Sequence, residues 1–334
     1  MDRAGLCRRR SRLLAPRTEG GLMKAASFLA DVPGLRLDQF LTQRLAGYSR
    51  SYVKDLIERG LVKVDGGVRS PDFRLRGGEV VQLAAAESAW SALPFEDWIL
   101  HEDKDLLVLN KPAGLLTHPM GDSWLRTPEA ALSDQEANVA GLLFHHRPDA
   151  QAAGVSRCGI VHRLDRQTSG LLLAALNPAA QDALLTAFRD RTVEKAYRAL
   201  LWGVLGETTV EAPVGRPSGR RKVKVSPWGK DASTEFSPIE TVRGLTLVEA
   251  RPKTGRTHQI RAHAAHAGCP VLGDPEIFGP AEFRKLDAAG LPPPPRMMLH
   301  AYRIRFAHPR TGKAARFTAP LPKDFKDYLK ALKA

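Results

Sequence analysis

One carboxylate in this chain stands where it could do chemistry. Asp165 lies in Gly159-Ile160-Val161-His162-Arg163-Leu164-Asp165-Arg166-Gln167-Thr168-Ser169-Gly170, between Arg163 and Arg166, and the stretch runs straight into Leu171-Leu172-Leu173-Ala174-Ala175-Leu176. The apolar run is short and unbroken, as in an element buried on both faces. Such an element needs no charged preamble, and Thr168-Ser169-Gly170 supplies turn chemistry where the chain must bend into the core. If the segment is extended, Arg163 and Asp165 share one side and Leu164 anchors on the other. Nearby guanidinium groups favour the ionised carboxylate, which suits a nucleophile or a general base. A structural ion pair at the mouth of a sheet would use the same residues.

Three further stretches carry polar groups on regular elements. Residues 193–203 alternate like a strand, with Lys195, Tyr197 and Ala199 on one face; Tyr197 there reads as a core residue with its hydroxyl at the edge. Leu245 to Ala250 reads as a strand feeding Gly255-Arg256-Thr257-His258-Gln259-Ile260-Arg261, a strand-to-helix turn with Thr257 near the helix start and Thr257 and Arg261 stacked at i, i+4. His258, His263 and His266 invite a zinc site, but no His-Glu-x-x-His arrangement or fourth ligand accompanies them, so no metal is expected. Residues 98–115 read as two strands joined by a charged turn, the second broken at Pro112 and Gly114, with Lys111 either solvated or facing a substrate. Met298 to Phe306 and Ala315 to Phe317 read as a closing hairpin of the sheet.

The elements that must hold these groups belong to a chain of 334 residues, long enough for roughly two domains. Hydrophobic content of 43% supports globular cores, and a formal charge of +14 points to a polyanionic partner, nucleic acid before membrane. Cys7, Cys158 and Cys269 lie far apart, so neither a disulfide framework nor a zinc ribbon is indicated and a reducing cytoplasm is the expected home. No apolar run approaches the ~18 residues of a membrane span. Residues 1–26 read as a flexible basic tail; Met23 is a candidate true start, and an organelle transit peptide is disfavoured by Asp2 and Glu19. Gly215 to Lys230, carrying Arg216, Arg220, Arg221, Lys222, Lys224 and Lys230, is too polar and broken for a core and reads as a cationic loop or hairpin on RNA, with Trp228 free to stack on a base.

Ahead of the central stretch, Leu37, Phe40, Leu41 and Leu45 make one helical stripe, and a second helix, capped by Ser49 or Ser51, buries Val53, Leu56 and Ile57 and ends at Gly60. Its outer side carries Arg50, Lys54 and Arg59, and two short strands follow. This unit, residues 27–83, resembles an S4 RNA-binding domain at Arg36-Leu37-Asp38-Gln39-Phe40-Leu41, Ser49-Arg50-Ser51, residues 57–66 and Gly77-Gly78-Glu79. The resemblance implies that Arg50, Lys54 and Arg59 contact phosphates. A small, polar stretch places a linker at 84–94.

From about Leu35 the whole chain resembles the RluA family of pseudouridine synthases, in its large-subunit ribosomal-RNA branch. The resemblance rests on His162-Arg163-Leu164-Asp165 with Thr168-Ser169-Gly170, Lys195-x-Tyr197, Gly255 to Arg261, Asn110-Lys111-Pro112 and Leu299-His300-Ala301, in the family's order. It implies an α+β catalytic domain over 95–334, with a largely antiparallel mixed sheet and flanking helices. It further implies cofactor-free isomerisation of uridine in RNA, most directly 23S ribosomal RNA, by a monomer. On this resemblance Asp165 attacks a flipped-out nucleotide, Tyr197 stacks on its base, Arg261 pairs with the aspartate, and Arg163 fills the place the base has left. Whether the attack falls on base or ribose stays open. Cys269 departs from an expected histidine and Lys222-Val223-Lys224 from the usual Lys-Met, which leaves target choice open. Transfer RNA as target and an rRNA-binding assembly factor with secondary catalysis are the alternatives; a glycosidase would need a second acid that no motif supplies.

Overall fold

Strand β1 (Ala26–Leu29) leads into helices α1 (Leu37–Arg44) and α2 (Arg50–Glu58), then strands β2 (Val62–Val64), β3 (Gly67–Val68) and β4 (Val80–Leu83). The computed structural model describes residues 25–45, 50–84, 93–119, 123–126, 131, 137–217 and 222–333. The expected basic tail up to residue 24, the Ser49 cap, the middle of the linker, Arg220 and Arg221 lie outside them. Two compact units divide the chain at Leu93 and Pro94, with 121–135 grouped with the first. In the first unit the stripe Leu37, Phe40, Leu41 and Leu45 packs on Val53, Leu56 and Ile57 over a four-stranded sheet ordered β1-β4-β2-β3. Asp38, in the first turn of α1, is buried and accepts hydrogen bonds from Arg36 and Arg50. Burial alone would raise its pKa, but the two guanidinium groups hold it below the usual carboxylate value.

The second unit is built on a nine-stranded sheet. Its strands are β5 (Ile99–Glu102), β6 (Leu106–Lys111), β7 (Ser169–Ala175), β8 (Glu194–Trp202), β9 (Thr208–Glu211), β12 (Ser233–Val242), β13 (Leu245–Pro252), β14 (Leu299–Ala307) and β15 (Ala314–Thr318), while β10 (Val214–Gly215) and β11 (Lys224–Val225) form a separate hairpin. The order is β5-β6-β7-β14-β8-β13-β12-β9, with β15 on β14. All pairs are antiparallel except β7 with β14. The α+β expectation holds, with one correction: β14 and β15 are a hairpin, but β14 lies in the middle of the sheet, wedged between β7 and β8. Every residue of β7 is buried, as its unbroken apolar run requires. One face carries Ala199, Leu201, Val248 and Ile260; the other carries Leu200, Met298 and the helix Lys323–Lys333 through Phe325 and Tyr328.

Gly170 shows why β7 can begin where it does. Its φ is +109°, and a Cβ there would lie 2.3 Å from the Ala301 carbonyl oxygen on β14. Only glycine lets the two parallel strands close at this point, directly after the turn that carries Asp165. Gly170→Ala is therefore expected to lower the unfolding free energy by about 3 kcal/mol or more, from strained backbone and overpacking together. Denaturant melts of the two proteins side by side check this.

No helix among the described residues is long and apolar enough to cross a membrane.

Candidate active site

The Asp165 segment is a turn clamped from below. Thr168 N–H donates to the Asp165 carbonyl (3.0 Å), closing the turn, and Gly114 N–H donates to the Arg166 carbonyl (2.8 Å). Thr117 Oγ1 donates to the Leu164 carbonyl (2.9 Å) and accepts from Leu164 N–H (3.2 Å). His162 Nε2 accepts from Leu173 N–H (2.8 Å) while its ring stacks on Phe188. Burial, helped by Lys195, holds that imidazole neutral, with a pKa near 3. The sequence leaves Lys111 solvated or facing a substrate; neither is the case. It is 1% exposed, and its Nζ donates to the carbonyls of Pro112 (2.9 Å), Leu115 (2.8 Å) and Arg166 (3.3 Å). Those carbonyls replace water around the ammonium group, although burial pulls its pKa down to about 7.

The partner of Asp165 comes from ninety-six residues further on. Arg261 sits on the helix Gln259–His266, which starts after His258 in the left-handed region (φ 53°). Thr257 precedes the helix, so the expected i, i+4 stack with Arg261 does not form. Asp274 grips the guanidinium through two hydrogen bonds (Nε 2.7 Å, Nη2 2.6 Å), Glu276 lies 2.9 Å from Nη2, and the remaining Nη1 faces Asp165 Oδ2 at 3.4 Å. A fork held on one edge presents its other edge in a fixed direction, which a lysine could not do. Burial would lower the pKa of Arg261, but these carboxylates raise it overall. His258 Nε2 approaches Asp165 Oδ1 at 3.7 Å, and burial lowers the His258 pKa despite the two carboxylates it faces.

Gln259 fixes the turn in front of the helix. Its side-chain oxygen accepts from Thr254 and from Arg256 N–H, and its amide donates to the Ser233 carbonyl and Thr234 Oγ1. His263, one of the three histidines whose spacing invited and then argued against zinc, has Nδ1 on Thr234 Oγ1 and Nε2 on the Ala212 carbonyl. Asp103, Asp105 and His308 are the one group of metal-type ligand atoms gathered among the described residues, and His308 and Arg310 already pair with those carboxylates.

Tyr197 enters the same pocket because β8 neighbours β14: it pairs with Ala301, and Ala301 with Gly170. The resulting cavity holds about 500 Å³ and is lined by Arg163, Asp165, Lys195, Tyr197, His258 and Arg261 among others. Asp165 keeps 19% of its side chain exposed into it, and Arg163 is exposed at its rim. Lys195 makes no ion pair among the described residues; burial lowers its pKa, and Nζ lies 6.0 Å from the Phe188 ring centre. Burial first, and the Asp165 charge second, push the Tyr197 phenol well above its ordinary value. Below pH ~10 the phenol is protonated in folded and unfolded chains alike; above it the unfolded chain ionises first, and stability is lost as pH rises. Tyr197→Phe should flatten that alkaline loss, read from melts across the range.

Residues 105–266 match the family model described as RNA pseudouridylate synthase, and residues 35–81 match the S4 domain. An uncharacterised RNA pseudouridine synthase of Bacillus subtilis is 36% identical over 304 residues, 89% of this chain and 94% of its own length. The ribosomal large subunit pseudouridine synthase D of Pseudomonas aeruginosa is 36% identical over 315 residues, 91% and 94% of the two chains. The chain belongs to the RNA pseudouridine synthase family. The human RNA pseudouridylate synthase domain containing 4 shares the fold, with a TM-score of 0.52 at 24% identity over 72% of this chain and 94% of its own.

For this synthase the structure brings Asp165, Tyr197, Arg261 and Arg163 into one pocket. In the S4 unit, Lys54 is exposed and 3.5 Å from Glu58, Arg59 is exposed, and Arg50 is drawn onto Asp38 at 2.9 Å, so its charge is partly spent inside the unit. Lys222 is exposed and donates from Nζ to the Glu276 carbonyl (2.6 Å); Trp228 is 90% exposed. Sequence reasoning missed Glu276, passed over Asp274 and Thr117, and gave His258 no role of its own beyond a disfavoured metal reading and a place in the family motif. A faint signal existed in the pair of acids, Asp274 and Glu276, that follow Gly268-Cys269-Pro270.

Proposed function

We propose that this pseudouridine synthase isomerises specific uridines of large-subunit ribosomal RNA, with Asp165 as nucleophile toward a nucleotide flipped into the pocket. The observation that carries the reading is the convergence of Asp165, Arg261 and Tyr197 on one 500 Å³ cavity. A stacked uridine hides its glycosidic bond, so it must be extruded at a cost of a few kcal/mol. The chain's excess of basic residues offsets this through phosphate contacts, with Lys54, Arg59 and the 222–230 hairpin as the candidate cations. Arg163, at the rim, takes the place of the extruded base.

In the reaction the N1–C1′ bond breaks and a C5–C1′ bond forms; C5 gives up its hydrogen as a proton and N1 gains one. The atoms balance without an oxidant, a reductant or a co-reactant. Asp165 adds to the ring or to C1′ and holds the nucleotide while the uracil turns; Arg261 fixes that carboxylate before the substrate arrives. The Tyr197 ring packs on the uracil, and its phenol, kept protonated by its surroundings, hydrogen-bonds rather than ionises in the resting site. The Pseudomonas relative is named for the ribosomal large subunit, and the S4 domain supports a structured RNA. A monomer working in the cytoplasm fits that substrate.

Mapping pseudouridines across rRNA and tRNA, in cells with and without the gene, tests the reading. The expected result is loss of one or a few sites confined to the large-subunit rRNA, restored by the wild-type gene. Losses confined to tRNA would overturn the substrate, and an unchanged map would overturn the function.

A further inference from the structure

We propose that a second cavity, behind the wall made by His258 and Arg261, binds the base of a nucleotide next to the target uridine. The inference rests on the pseudouridylation reading above. This cavity holds about 640 Å³, within the range of small-ligand pockets, roughly 300–1,000 Å³. His258 and Arg261 line it on one side and the Asp165 pocket on the other, so the two chambers are one side chain apart. An RNA strand with one nucleoside in the first chamber has its neighbour within reach of the second.

The lining suits a base with its phosphate. Ala262 and Ala265, three residues apart on one face of the helix, leave the space that larger side chains would fill, and Val225 of the β10–β11 hairpin and Ile277 supply apolar walls. Lys222 and Lys224 are exposed along the hairpin edge of the same cavity, which places ammonium groups where a phosphate would lie. The Lys222 bond to the Glu276 carbonyl holds that edge over the opening. Polar groups stand at the wall: His258 Nδ1 lies 2.9 Å from Glu276 Oε1, and the same oxygen lies 2.9 Å from Arg261 Nη2, which leaves the second carboxylate oxygen of Glu276 as acceptor capacity toward a base edge. An apolar floor, a cationic rim and a polar wall together match a nucleotide. A purely apolar ligand would leave the charged edge of Lys222 and Lys224 without use.

The test combines a filled cavity with a missing base. Ala265→Phe occupies the chamber from the face of the helix without touching Asp165, and Ala265→Leu does so with less bulk. Both are assayed, with wild type, on a stem-loop RNA carrying the mapped target uridine and on the same RNA made abasic at each flanking position. Loss of one stacked base should reduce kcat/KM by about tenfold or more. The expected result is that Ala265→Phe and one abasic position each cause that loss, and that together they cause no more than either alone, with melting temperatures unchanged. Should Ala265→Phe unfold the protein, Ala265→Leu carries the same comparison. Multiplying losses, or full activity with the chamber filled, would overturn the inference while wild-type turnover leaves the proposed function standing. Absence of turnover by wild type on any RNA would instead overturn the function on which it rests.

Discussion

Asp165→Asn is expected to abolish pseudouridine formation, by at least about 10⁴-fold in kcat, while RNA affinity changes by no more than about threefold. The amide keeps the size of the side chain, so the turn held by Thr117, Gly114 and Lys111 has no reason to move. What disappears is the anionic oxygen proposed as nucleophile and its attraction for Arg261 at 3.4 Å. Affinity should persist because the proposed RNA contacts are many phosphate contacts spread over the basic surfaces rather than one carboxylate. Single-turnover release of label from C5-tritiated uridine, beside a binding isotherm on the same RNA, separates the two quantities. Turnover at the wild-type rate would remove Asp165 from the chemistry, and loss of binding would recast it as a structural residue.

The extent to which this site could be read in advance follows from the range of the interactions that make it. The turn at Asp165, the burial of the run after it though not its being a strand rather than a helix, and the shared face of Lys195 and Tyr197 all depend on residues a few positions apart, and pattern reasoning finds such things. The position of β14 does not: its parallel pairing joins Ala301 to Gly170, and no local signal distinguishes that from an edge hairpin. The clearest trace was Gly170 itself, whose need for glycine becomes visible only once Ala301 is beside it. Lys111 was misjudged for the same reason, since one of the three carbonyls that accept from its ammonium group lies fifty-five residues away. Arg261 was placed by family resemblance; the Asp274 grip that aims it is built by the fold.

Replacing Arg261 tests that grip. Arg261→Met leaves Asp165, Asp274 and Glu276 facing one another around a lost cation, and breaking a buried pair in this way costs about 3–5 kcal/mol. Activity should fall by at least about 10²-fold, because Asp165 loses the donor that holds it for the proposed attack. Stability and chemistry can then be pulled apart. In the double variant Arg261→Met with Asp274→Leu, the deepest uncompensated charge is replaced by apolar volume, and most of the lost stability should return, since an apolar pair of similar size commonly matches a buried ion pair. Activity should not return with it, because nothing in the double variant faces Asp165 with a positive edge. Chemical melts and single-turnover rates on the two variants give the answer. Recovery of the rate along with the fold would mean that Arg261 serves the architecture alone, with His258, 3.7 Å from Asp165, sufficient as its neighbour.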